Sequence, residues 1–190
     1  MSINYRQDDR SREVFADNLK QSHIKEAIWS LVLQADHEDR GRPCEVECNG
    51  VDCTGEVIEG SIGHHDADWK FTFESGEVRL IEIKTIPEWC TEFCTFKVTS
   101  LQACVADGAW ICVPRFASYC MYSPEACRRL LRFEARIYKG FSPNDPAVRF
   151  YASTTAELME AGLVECHGWQ ATARAIIERN HATLFEEKRK

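Results

Sequence analysis

The segment His64-His65-Asp66-Ala67-Asp68-Trp69-Lys70-Phe71-Thr72-Phe73, continued by Glu74-Ser75-Gly76-Glu77 and Val78-Arg79-Leu80-Ile81-Glu82-Ile83-Lys84, decides how this chain is read. Its first run alternates polar and apolar residues and its last is aliphatic and β-branched. Ser75-Gly76 supplies turn chemistry between them, so the segment predicts a β-hairpin. A three-residue turn centred on Ser75 sets Asp68 across from Glu82 and Asp66 across from Lys84. A slip of one residue would turn every side chain to the other face. Residues two apart on a strand share a face, so Glu82 and Lys84 point the same way and Ile83 points into the opposite layer.

Carboxylates gathered on one surface repel each other unless a cation or an ammonium sits among them. Hard carboxylate oxygens suit Mg²⁺, which keeps several waters and takes one or two protein carboxylates together with substrate phosphate oxygens. A cation so held lowers the pKa of a bound water and stabilises charge in an in-line displacement. The same residues also read, more plainly, as an exposed hairpin with a cross-strand ion pair worth about 0.2–1 kcal/mol.

Asp68 followed by Glu82-Ile83-Lys84-Thr85 resembles the signature of the PD-(D/E)XK nuclease superfamily, although Ala67 stands where the proline of that name would be. The resemblance implies a restriction-endonuclease-like α/β (α+β mixed) fold, a central mixed β-sheet flanked by helices, and hydrolysis of phosphodiester bonds in DNA. It implies Mg²⁺ or Mn²⁺ held by Asp68, Glu82 and the backbone carbonyl of Ile83, with Asp66 as the alternative ligand. Lys84 would orient or help deprotonate the attacking water. In the superfamily the first helix often carries a glutamate that leans toward the metal, and Glu26 is the residue placed to do so. By its pattern alone Glu26 reads as part of a solvated helix face. A polar residue on the helix after the Glu-x-Lys strand often aims at the site, and Gln102 matches in type and position. Members of the superfamily often act as dimers, so a homodimer fits.

The 190-residue chain is 44% hydrophobic, which suits one compact domain with a sizeable core. No segment has the roughly 18 uninterrupted apolar residues of a membrane span. The N-terminus lacks the apolar stretch of a signal peptide, so a cytoplasmic protein is expected. In that compartment the ten cysteines are expected to be free, scattered thiols. No Cys-x-x-Cys occurs, although Cys44, Cys48 and Cys53, and again Cys90 and Cys94, lie close in sequence. A cysteine-bound structural metal in a non-catalytic nucleic-acid-binding or assembly module is therefore the alternative reading.

The net charge of −7 is unlike that of a typical nucleic-acid binder, but it is unevenly spread: residues 115–150 carry seven basic and three acidic side chains. Ser123-Pro124-Glu125 opens a helix expected to run to about Lys139. Along it Arg128, Arg132 and Arg136 recur every four residues as a ridge that suits DNA phosphates or, equally, a solvated face.

Elsewhere the pattern predicts a long helix from Ser11 to about Asp36 and short strands at 45–48 and 56–58. Residues 89–96 read as an aromatic loop over the core or a base-stacking platform. A helix over 98–106 ends at Gly108, and a buried strand, 109–113, follows it. A short strand at 147–151 precedes a helix that closes at Gly162, and a final helix spans about 170–187. These features divide the chain into a nuclease-like core, residues 1–114, and a mainly helical extension, 115–190, packed on it. There is no phosphate-cradling glycine loop and no Gly-x-Ser-x-Gly elbow, so nucleotide-binding and serine-hydrolase chemistry lack their usual scaffolds.

Overall fold

In the computed structural model, residues 12–49, 67–86, 92–132, 137–138 and 146–185 are described. The expected hairpin forms between β2 (Trp69–Phe73) and β3 (Val78–Ile83), and β1 (Cys44–Cys48) lies antiparallel on its outer side. Trp69 faces Ile81 and Thr72 faces Val78, the register that a turn centred on Ser75 dictates. Gly76 closes the turn at φ 83°, a backbone setting that side chains with a Cβ rarely adopt. The candidate strand at 56–58 lies outside the described residues.

Helix α1 (Arg12–Asp39) covers one face of the sheet. Trp29, Val32 and Leu33 of this helix pack against Phe71, Ile81 and Ile83, all at most 1% exposed. Burial of each such side chain contributes about 1.5–3 kcal/mol. After β3 the chain passes through β4 (Phe93–Lys97) and α2 (Val98–Asp107), whose C-cap Gly108 has φ 69°. It then enters β5 (Trp110–Pro114), which pairs parallel to β3. Parallel pairing needs a crossover, and α2 supplies it.

The central sheet is mixed and six-stranded, in the order β1-β2-β3-β5, then β6 (Ser118–Tyr122) and β9 (Val164–Gly168). A second sheet holds β4 beside β8 (Ala147–Tyr151) and β7 (Ile137–Tyr138). Helices α3 (Pro124–Leu131) and α4 (Ala152–Glu160) join α2 and this sheet around a second core that includes Phe96, Leu101, Ile111, Leu130 and Phe150. Helices α5 (Ala171–Arg179) and α6 (His181–Phe185) pack beside α1. The result is a mixed α/β fold with helices on both faces of the sheet. Among the described residues no helix is long and apolar enough to cross a membrane.

Four expectations are corrected. Residues 115–190 are not an appendage on a finished core, because β6 and β9 extend the central sheet itself. Phe93 and Phe96 lie on strand β4 rather than in a loop, with Phe96 1% exposed and packed in the second core as the core-packing reading expects, while Trp89 lies outside the described residues. Helix α3 opens as read, with Ser123 accepting from Ala126 N at 3.2 Å, but it ends at Leu131 rather than Lys139. Ile137 and Tyr138 pair with Val148 and Ala147, so strand pairing overrides the helical spacing of the arginines. Finally, Cys120 and Cys166, directly opposed on β6 and β9 with Cα atoms 4.1 Å apart, are disulfide-bonded, and so is Cys48. Cys44, Cys94, Cys104, Cys112 and Cys127 are in no disulfide, while Cys53 and Cys90 lie outside the described residues.

Candidate functional site

The hairpin changes character at its open end. Hydrogen-bonded pairs alternate along an antiparallel ladder, and continuing the register by one such pair would join Ala67 to Ile83. Instead, the Ala67 carbonyl accepts from Asn49 Nδ2 at 3.0 Å, and the Ile83 amide donates to Asp68 Oδ2 at 3.1 Å. Asn49 also donates its backbone amide to the Asp68 carbonyl at 3.0 Å. The ladder is thus replaced by side-chain bonds where the two strands part. Asp68 is held with one carboxylate oxygen on the β3 backbone, one residue from Glu82.

Glu82 forms an ion pair with Lys84, two residues along the same face; the side chains are 13% and 32% exposed. The Lys84 backbone stays on the sheet through its amide, which donates to the Cys112 carbonyl of β5 at 2.8 Å. Ile83 between them is buried on the α1 side, as alternation requires. Glu26 enters from α1 and accepts a hydrogen bond from Ser22 Oγ at 2.8 Å. It lies within electrostatic reach of both Glu82 and Lys84.

The electrostatics of the cluster are those of too many carboxylates for one ammonium. Burial pushes the Asp68 carboxyl well above the usual carboxylate range, and the charge on Glu82 adds to this; Lys84 and the Ile83 amide oppose it. Glu26 is raised as well, chiefly by burial, with Ser22 and Lys84 pulling it back. Burial alone would lower the Lys84 ammonium, but Glu82, Asp68 and Glu26 outweigh it and hold its pKa above the ordinary lysine value.

Of the residues singled out from sequence, Asp68, Glu82 and Lys84 come together, with Glu26 beside them. Asp66, Arg136 and the two histidines of the hairpin entry, His64 and His65, lie outside the described residues. Gln102 is exposed. The α2 residue that senses Glu82 and Lys84 is Cys104, buried in contact with Cys127 of α3. Two residues along a helix are about 200° apart around its axis, so α2 cannot present Cys104 to the cluster and aim Gln102 there too. Of the arginine ridge, two members are described. Arg128 is paired with Glu125, and Arg132 caps the end of α3 instead of continuing it. Sequence reasoning missed Ser22 and Cys104. Only the i, i+4 spacing of Ser22 and Glu26 was available as a signal.

The carboxylates of Asp68 and Glu82, close enough for the Glu82 charge to raise Asp68, offer the hard oxygen donors a divalent cation prefers. As the side chains stand, no three His, Cys, Asp or Glu groups among the described residues form a ready-made metal cage. Mg²⁺ would accordingly rest on two carboxylates, with water or substrate oxygens completing its shell. A scan against protein-family models finds no match, and searches of curated proteins and of solved structures find none either.

Proposed function

We propose that this chain is a Mg²⁺- or Mn²⁺-dependent nuclease acting on DNA through a site of the PD-(D/E)XK type. The observation that carries the reading is the convergence of Asp68, Glu82 and Lys84 at the point where the β2–β3 ladder opens. The order of elements supports a restriction-endonuclease-like core. A helix bearing Glu26 precedes three antiparallel strands, and a crossover helix leads to a strand parallel to the one bearing Glu82.

Asp68 and Glu82 would hold the cation, with Glu26 able to bind one of its waters. The bound cation supplies charge neutralisation at the phosphate and an acidified water. Lys84, kept protonated by its neighbours, donates hydrogen bonds to the attacking water or to a phosphate oxygen and so fixes its approach. Ser22 holds the Glu26 carboxylate toward the cluster. The bond from the Ile83 amide keeps Asp68 from rotating away from the scissile group.

Cleavage of linear, nicked, branched and single-stranded DNA, assayed with Mg²⁺ and with EDTA, tests this. The parent chain should cut at least one of these substrates only when the cation is present. Glu82→Ala and Lys84→Ala should each lose at least about a hundredfold in rate, a transition-state loss of about 3 kcal/mol. Full activity in either variant would falsify the assignment.

A further inference from the structure

The Lys84 ammonium lies against the carboxylate that would have to grip a divalent ion, a placement that nothing in the water-orienting role requires. Its main chain is pinned to β5, so its position can change only through its four side-chain bonds. Its side chain is about one-third exposed. The acidic groups that act on it come from three elements: Glu82 on β3, Asp68 at the start of β2 and Glu26 on α1. Lys84 is the cation that opposes the upward shift of Asp68, and on Glu26 it acts ahead of His23. Among the described residues, the ammonium paired with Glu82 does the neutralising that a metal ion would otherwise do. Two cations on one Glu82 carboxylate repel each other, so they cannot share it at full strength.

We propose that Lys84 is the resident counter-ion of the cluster and that a divalent cation enters by displacing its ammonium from Glu82, so that Lys84 lowers the affinity of the site for the metal. This rests on the metal-site reading above. The freed ammonium is then available to the water and phosphate, which links metal entry to the placement of the catalytic amine. A lysine that only orients water leaves cation affinity unchanged when removed. A counter-ion, once removed, leaves the affinity higher.

Mn²⁺ titration by calorimetry, with no DNA present, separates the two. Lys84→Met should bind Mn²⁺ about tenfold more tightly than the parent, Lys84→Arg should resemble the parent, and Lys84→Met/Glu82→Gln should lose the gain. Acylation of lysines in the unmodified chain, read by peptide mass, is independent of any variant's ability to fold. Adding Mn²⁺ should speed labelling at Lys84 several-fold. Equal or weaker Mn²⁺ binding by Lys84→Met, or labelling at Lys84 that Mn²⁺ leaves unchanged or slows, overturns the counter-ion role and leaves the metal site standing if the parent still binds. Absence of Mn²⁺ binding by both parent and Lys84→Met overturns the metal site and this inference together.

Discussion

Two buried carboxyl clusters lie along α1, separated by ten residues of helix between Glu26 and Asp36, a rise of about 15 Å. At Asp36 donors are plentiful. Its fully buried carboxylate accepts from Tyr119 Oη at 2.8 Å, from the Gln170 amide at 2.7 Å and from Arg40 Nε at 2.7 Å. Burial would raise its pKa, but these bonds, Arg40 first, outweigh burial and hold it below the usual value. At Asp68 carboxylates are plentiful and donors scarce, and the shift runs upward. A carboxylate with its bonds satisfied by the protein holds the fold together, here tying α1 to β6 and to the start of α5. A carboxylate left in excess is stabilised only by taking up a proton or by a cation. This difference, rather than burial as such, separates Asp68, where the site is proposed, from Asp36, which is a joint.

The largest expected effect that would break the comparison is on stability. Asp36→Ala strands the Tyr119 hydroxyl and the Gln170 amide and should cost about 3 kcal/mol in urea denaturation. Asp68→Asn removes a carboxyl that burial and Glu82 keep from ionising readily, while keeping an acceptor for the Ile83 amide. In EDTA it should leave stability unchanged or raise it by about 1 kcal/mol, while abolishing Mn²⁺ binding.

The two sites should also respond to pH with opposite sign. A carboxyl whose folded pKa is depressed, as at Asp36, adds stability above its unfolded pKa of about 4 and loses it as pH falls further. A carboxyl whose folded pKa is raised, as at Asp68, adds stability below about pH 4 and loses it as pH rises through the folded pKa. In EDTA, the advantage of Asp68→Asn over the parent should therefore grow from pH 5 to pH 8. Melting curves at the two pH values check this, and a constant or shrinking advantage would contradict it.

His37 sharpens the picture from the basic side. It is 7% exposed, with Nδ1 unpartnered and its ring edge-on to Phe71 and Phe73. Burial first, and then Arg42, lowers its pKa from 6.5 to about 4. It is neutral in the fold and protonates more readily in the unfolded chain, so it should remove up to about 3 kcal/mol as pH falls from 6.5 to 4. His37→Phe should flatten that part of the stability profile. The smallest expected effect is at Ser123, where loss of the N-cap bond to Ala126 in Ser123→Ala should cost about 1 kcal/mol, measured by thermal melting.

The hairpin was legible because strict alternation, one turn glycine and a buried face leave a single register open. The same reasoning fixed which side of β3 carries Glu82 and Lys84. Glu26 was harder, since a glutamate on a helix looks solvated until a sheet end is brought beside it. Strand β6 went unread because Tyr119, Met121 and Tyr122 are buried within a short mixed run that lacks clean alternation. The Cys120–Cys166 bond links residues 46 apart, a pairing set by β6–β9 register that linear spacing cannot convey. Gln102 was chosen by residue type. The rotation of α2, fixed by Leu101 and Cys104 packing inward, instead turns it to solvent.

Crystals of the chain soaked in MnCl₂ and measured at a wavelength where manganese scatters anomalously test the central claim most directly. The account predicts a peak within about 2.0–2.3 Å of carboxylate oxygens of both Asp68 and Glu82, with the Lys84 ammonium withdrawn from Glu82. A peak elsewhere, or a fully soaked crystal in which Lys84 still pairs with Glu82 and no ion lies between the two acids, would contradict it.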